Sequence, residues 1–173
     1  AGDGDAVSIG GNHFIHAARR NLDVTVVMVN NMNFAMTGGQ VAPTTPDKAI
    51  TMTTPYGSAE KPFDVCQLAI TAGATHVERW TTTRPMQCIK ALERALQHKG
   101  FSLIEIVSQC PTHFGRYALK SGSPKVLMDW IDANTYTKTQ GNTMTDEEKA
   151  GKLLVGEFLR VEKPVYAGTN AKE

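Results

Sequence analysis

Two short stretches of this sequence hold the residue types that bind a metal ion and a phosphate group. Gly2-Asp3-Gly4-Asp5 lies at the start, and Asn30-Asn31 follows the apolar run Val24 to Val29. A carboxylate and an amide oxygen are hard ligands that suit Mg²⁺, an ion that readily shares its octahedral shell with phosphates. Glycines let main-chain N–H groups approach a diphosphate, and the N-terminus of a following helix favours its negative charge. Each stretch alone says little, because Asp-Gly is a common turn and Asn often ends strands and loops. The spacing adds the information. Between Gly4 and Asn30 lie 25 residues, enough for one helix and one strand. Such a crossover returns Asn31 to the same sheet edge as Asp3, and ligands of parallel α/β sheets bind beyond that carboxyl edge.

The other reactive residues are fewer. Cys66, Cys88 and Cys110 are odd in number, which argues against a closed disulfide framework. Cys66 and Cys88 sit in helical apolar patterns and read as buried, inert thiols. Cys110 differs, because it follows a strand in a Pro-containing loop. His13 and His16 share one helix face but have no evident third ligand, so they read as residues that pack or hydrogen-bond near the site. Arg19-Arg20 reads as a solvated helix face.

These residues need elements to position them. Ala6 to Arg20 reads as an imperfect helix weakened by Gly10-Gly11, a pair that hints at close approach to a ligand or another backbone. Val24 to Val29 reads as a strand buried on both faces. Asn30 to Lys61 has no helical or strand period, and a long irregular segment inside a domain is usually functional. Pro62 to Ala72 reads as a helix with Asp64 near its start, and Thr75 to Trp80 as a strand. Met86, Ile89, Leu92 and Leu96 mark one apolar face of a helix ending at Gly100. Ser102 to Val107 is another strand, Lys125 to Ile131 and Asp146 to Leu159 are expected to be helical, and the tail after Pro164 to be loose. Alternating strands and helices predict an α/β fold with a mostly parallel sheet. Residue 1 leads straight into a turn with no strand before it, so the sequence reads as one cut short at its N-terminus. The expected organisation is one domain over 1–160, incomplete at that end, and a tail over 161–173.

Composition narrows the class. The 173 residues suffice for one sizeable core, and 41% apolar with 20% charged residues is ordinary for a globular protein. A net charge of +1, with dispersed Lys and Arg, argues against a nucleic-acid surface. No apolar run approaches the ~20 residues that span a bilayer, and no signal peptide is evident, so a cytoplasmic location is expected.

The wording around the two stretches is more specific than their spacing. GDGDAVSIGGNHFIHAARRN, NNMNFAMTGGQVAPTTP, TTPYG and SQCPTHFGR resemble beta subunits of 2-oxoacid:ferredoxin oxidoreductases, most of all the 2-oxoglutarate branch. The resemblance implies a thiamine-diphosphate-binding fold with helices on both sheet faces. It implies Mg²⁺ held by Asp3, the Asn31 side chain and the Asn33 carbonyl, with Gly4, Asp5, Ala35 and Met36 against the cofactor. Thr37 falls where the family tunes substrate choice. Ala35 stands where the family often has glycine, which raises the question of a left-handed backbone there. Cys110 matches one ligand of a [4Fe–4S] cluster, which needs three more cysteines. The implied activity is oxidative decarboxylation of a 2-oxoacid to its acyl-CoA, with electrons passed to ferredoxin. The implied partners are an alpha subunit, ferredoxin, the 2-oxoacid and coenzyme A, and no catalytic base is expected on this chain. The rival readings are a thiamine diphosphate decarboxylase or synthase without redox chemistry, and a non-catalytic α/β nucleotide-binding or assembly module.

Overall fold

The structure, a computed structural model, describes residues 1–167. Its strands are β1 (Val24–Asn30), β2 (His76–Thr81), β3 (Phe101–Val107), β4 (Thr135–Thr137) and β5 (Leu153–Arg160). They form one sheet in the order β1-β3-β2-β5-β4. β3 pairs in parallel with β1 and β2, and β4 pairs in parallel with β5. β2 and β5 run antiparallel. The helices are α1 (Gly11–Arg19), α2 (Val65–Ala72), α3 (Pro85–Gln97), α4 (Phe114–Ala118), α5 (Pro124–Ala133), α6 (Lys138–Gly141) and α7 (Asp146–Lys149).

The period-2 alternation of β3 explains the layers. Phe101 and Leu103 pack with Phe14 of α1 and with Val65 and Ala69 of α2. Ile104 and Ile106, on the opposite face, pack with Ala91 and Ala95 of α3. Both faces of the central strand are thus covered, as a parallel sheet requires. Asp64 caps α2 by accepting the Gln67 N–H at 3.3 Å, and Gly73 ends that helix in the left-handed conformation.

Several expectations need correction. The strand over Val24 to Val29 is not buried on both faces: β1 lies at the sheet edge, and Val24 and Val29 are each 42% exposed. The helix read over Ala6 to Arg20 is two pieces, a π-helical turn over Asp5–Ile9 and then α1. A Cβ on Gly10 would lie 2.4 Å from the Asp5 carbonyl oxygen, so its close approach is to its own chain. The helix read over Asp146 to Leu159 stops after one turn at Lys149, and β5 takes its second half. Gly151, at φ 74°, breaks the helix, and the free edge of β2 then supplies the backbone partners. The apolar face of α3 is not its buried one: Met86 is 60% and Leu96 76% exposed, while Cys88, Ala91 and Ala95 are buried. Small alanines bring that helix close to Ile104, which longer side chains would prevent. The described part of the tail is tied down, because the Tyr166 N–H donates to the Asn21 carbonyl at 3.2 Å. Residues 168–173 of the expected tail lie outside the described residues.

Each face of the sheet carries a buried ion network. Toward α3, Glu78 accepts from Arg94, His76 and Trp80 at 2.7–2.8 Å. Burial opposes its ionisation, but those hydrogen bonds outweigh burial and hold the Glu78 carboxyl down to about 2. Toward α2, Arg79 donates to Glu105 and to Asp64, each at 2.7 Å, with Arg79 and Glu105 fully buried. No described helix is long and apolar enough to cross a membrane. Breaking a buried pair leaves an uncompensated charge, so Arg79→Met should cost about 3–5 kcal/mol in urea unfolding. The double variant Arg79→Met/Glu105→Leu should recover most of that loss, and failure to recover would show that packing, not charge, sets the cost.

Candidate functional site

The opening residues run alongside β1. The Ala1 nitrogen donates to the Val27 carbonyl and the Val29 N–H donates to the Ala1 carbonyl, both at 2.9 Å, and Gly2 bridges Val29 in parallel. Asp3 therefore emerges at the carboxyl end of β1, where the loop over residues 30–33 begins. Its carboxylate is 2% exposed, accepts a short hydrogen bond from the Thr44 hydroxyl, and is within bonding reach of the Gly4 and Met32 amides. Asn31 flanks that same Met32 amide. Its Oδ1 is buried and has no hydrogen-bond partner. A buried amide oxygen without a partner costs free energy unless something outside the chain fills the position.

The loop is fixed at every other point. Asn33 Nδ2 donates to the Asn31 carbonyl at 2.7 Å, and the Thr45 hydroxyl donates to the Met32 carbonyl at 2.8 Å. Met32 is left-handed at φ 64°, a conformation uncommon outside glycine. No main-chain N–H among the described residues pairs with the Asn33 carbonyl. A Cβ on Gly4 would lie 2.4 Å from the Phe34 ring, so any larger residue there would have to displace that ring. Ala35 is not left-handed; the positive φ angles fall at Gly38 (123°) and Gly39 (91°) instead, so alanine fits without strain. Ala35 packs on the cluster that contains Met32 and Cys110, whereas Asp5 and Thr37 are exposed and Met36 is 98% exposed. The Thr37 hydroxyl donates to Gln40 Oε1 at 2.7 Å.

The cysteines divide as their sequence context indicates. Cys66 and Cys88 are buried, and burial raises both thiols, Cys66 well above its ordinary range. Cys110 is also buried, but the amides of Phe114 and His113 and the Thr112 hydroxyl outweigh burial and lower its thiol. Its Sγ lies 3.9 Å from Asn33 Oδ1, next to the loop that follows β1. Among the described residues no other cysteine joins Cys110 in a metal-binding group, so the described chain does not assemble a four-thiolate cluster. His13 and His16 are exposed, and His16 accepts from Arg19 at 3.4 Å.

Sequence reasoning missed Thr44, Thr45 and Glu105, and gave Asn30 no role apart from Asn31. Asn30 donates through Nδ2 to Glu105 Oε1 at 2.7 Å and accepts the Met32 N–H at 3.1 Å. A cavity of about 570 Å³ is lined by Asn30, Met32, Thr44, Arg79, Glu105 and Trp130, among others. Asp3, Asn31 and Asn33 do not line it; Asp3 and Asn33 are buried, as is Asn31 Oδ1.

A parallel sheet with an acidic turn and an Asn-rich loop at one carboxyl edge defines a class of cofactor-binding domain. Residues 1–106 match the family described as thiamine pyrophosphate enzyme, C-terminal TPP binding domain, and the chain belongs to that family. It is 49% identical to the 2-oxoglutarate synthase subunit KorB of Methanocaldococcus jannaschii, over 95% of this chain and 61% of that protein. It is 60% identical to the KorB subunit of Archaeoglobus fulgidus over 65% of this chain and 42% of that protein. The fold superposes with a TM-score of 0.80 and 29% identity on a 2-oxoglutarate:ferredoxin oxidoreductase chain from Magnetococcus marinus. That structure holds 2-oxoglutarate, coenzyme A and succinyl-CoA, and the match covers 95% of this chain and 56% of that one. The matches thus span between 42% and 61% of the length of these relatives.

Burial raises the Asp3 carboxyl above its ordinary 3.8, outweighing the hydrogen bonds from Thr44 and from the Gly4 and Met32 amides. The folded chain then holds this proton to higher pH than the unfolded chain does. The associated stability is present below the ordinary value and is lost as pH rises through the raised one. Without metal, Asp3→Asn should therefore lose less stability than the parent between about pH 4 and 7 in urea melts. Parallel curves for the two proteins would show that Asp3 is ionised at no cost.

Proposed function

We propose that this chain is the thiamine-diphosphate-binding part of a 2-oxoacid:ferredoxin oxidoreductase beta subunit, acting on 2-oxoglutarate. The observation that carries this reading is the buried, unpartnered Asn31 Oδ1 in the turn whose Met32 amide lies within reach of the buried Asp3 carboxylate. Mg²⁺ bound by Asp3, Asn31 Oδ1 and the Asn33 carbonyl would satisfy that oxygen and neutralise that carboxylate with the hard oxygen donors the ion prefers. Gly4, Asp5, Ala35 and Met36 would contact the cofactor. Thiamine diphosphate, when bound, supplies the nucleophilic carbanion and the electron sink.

This chain's own residues bind and orient. The Asn30–Met32 and Thr44–Asp3 hydrogen bonds hold the ligand oxygens in place before the ion arrives. Thr37, exposed beside the cofactor loop and restrained by Gln40, would face the substrate's distal carboxylate. Cys110 alone does not fit a [4Fe–4S] cluster. It could serve as one ligand only with three further thiolates, which is the contribution assigned to it here. Similarity to subunits of 2-oxoglutarate synthases and oxidoreductases supports 2-oxoglutarate, coenzyme A, ferredoxin and an alpha subunit as substrate, co-substrate, acceptor and partner.

The test is calorimetric titration of thiamine diphosphate with Mg²⁺ into the full-length protein. Asp3→Ala and Asn31→Ala should each weaken binding by at least about 100-fold, beyond the 10–100-fold typical of an outer-shell change. Binding unaffected by either change would discard the metal assignment. Iron content and low-temperature EPR of the same preparation separate the redox enzyme from a thiamine enzyme without a cluster. Cofactor uptake without iron would favour the latter.

A further inference from the structure

We propose that Asn30 and Glu105 are positioning residues for the magnesium loop, with Arg79 fixing Glu105 in turn. The inference rests on the magnesium reading above, and its argument is geometric. Asn30, Glu105 and Arg79 form a row across β1, β3 and β2 near their carboxyl ends. Arg79 is the register partner of Glu105, and Asn30 pairs with Val107, two residues beyond Glu105. Side chains two apart on a strand share a face, so all three point toward α2.

Every polar atom in the row has a defined task. Arg79 Nε donates to Glu105 Oε2 at 2.7 Å, its Nη2 donates to Asp64 Oδ1 at 2.7 Å, and its Nη1 donates to the Leu154 carbonyl at 3.2 Å. Cys66 Sγ donates to Glu105 Oε2 at 3.3 Å. Glu105 Oε1 is thereby turned toward β1, where it accepts from Asn30 Nδ2 at 2.7 Å. An ionised carboxylate only accepts, so it dictates which end of the Asn30 amide faces it. With Nδ2 committed to Glu105, Oδ1 faces the other way and takes the Met32 N–H at 3.1 Å. The flipped amide would set oxygen against carboxylate and NH₂ against N–H, two repulsions in place of two bonds.

The consequence falls on Asn31, which none of these residues touches through its side chain. Residue 30 is fixed from below, Met32 is held left-handed at φ 64°, and the Asn31 carbonyl is taken by Asn33 at 2.7 Å. Among the described residues, Asn31 is then the side chain of this turn whose buried oxygen is left unpaired. A metal ligand is commonly oriented by an outer partner, and here the orientation is transmitted through one peptide unit. The row also forms part of the wall of the 570 Å³ cavity, so it is a continuous strip of polar groups rather than isolated pairs.

The experiment titrates Mg²⁺ into the full-length protein at a fixed, saturating concentration of thiamine diphosphate, with thermal melts alongside. Asn30→Ala and Glu105→Gln are each expected to raise the magnesium Kd about 10–100-fold. In Glu105→Gln the new NH₂ must face either Asn30 or Arg79, both donors, so one contact is lost. The double variant should bind no worse than the weaker single one, because both changes cut the same relay. Glu78→Gln, in the network on the opposite face, is the stability control. It should lower the Tm and leave the magnesium Kd unchanged. Asn30→Ala removes no charge from the core, so it remains informative where Glu105→Gln fails to fold. An unaltered magnesium Kd in Asn30→Ala, with binding abolished in Asp3→Ala, overturns the relay and spares the metal site. Undiminished binding in Asp3→Ala overturns the metal site and the relay with it.

Discussion

An ionised carboxylate survives in the middle of a sheet only when both of its oxygens are paired, and Glu105 meets that condition from two sides. Oε2 is held by the Arg79 guanidinium and Oε1 by the Asn30 amide. The first contact neutralises the charge. The second spends the remaining lone pairs on a neighbouring strand, at the position where β1 stops and the ligand-bearing loop starts. Replacing the pair by apolar residues would cost little stability, since buried ion pairs contribute little net energy beside a well-packed alternative. What an apolar pair cannot supply is direction. A Leu at 105 would leave the Asn30 amide free to flip, and with it the Met32 turn.

The two ion networks differ in this respect. Glu78 gathers His76, Trp80 and Arg94 around one carboxylate, all from β2 and α3, and joins that helix to the sheet. Glu157 of β5 lies at the edge of the same group, 3.8 Å from Arg94. The Glu105 network instead runs along the sheet toward its carboxyl edge. One network fastens layers, and the other carries order from the core to a loop. The α3 layer leaves Met86, Ile89 and Leu96 exposed because the helix approaches β3 through alanines.

Much of this was legible in the sequence, for reasons that particular residues make clear. β1 and β3 are β-branched runs that need no tertiary information, and their parallel pairing follows from the helices between them. The Gly-Asp-Gly turn and the Asn pair were visible through their spacing. β5 was not, because its residues read equally well as helix until the edge of β2 is there to receive them. Thr44 and Thr45 lie in a segment without periodicity, where only the folded chain brings a hydroxyl to Asp3. Glu105 did leave a signal: it is the one charge in the apolar run FSLIEIV, and a charge in a buried strand demands a partner. That the partner is Asn30, the less conspicuous half of the Asn pair, depends on strand order, which the sequence does not state.

The ligand atoms are buried while the loop that carries them is not. Asp3 and Asn33 are each 2% exposed and Asn31 Oδ1 is buried, whereas Met36, three residues beyond Asn33, is 98% exposed. Charges a few ångströms apart interact many times more strongly in a dry interior than in water, so a carboxylate set this deep attracts a cation more strongly than one on the surface would. Burial also disfavours the ionised form of Asp3, and a cation against it would offset that cost. The depth that penalises the unpaired carboxylate is thus what sharpens its preference for a bound cation.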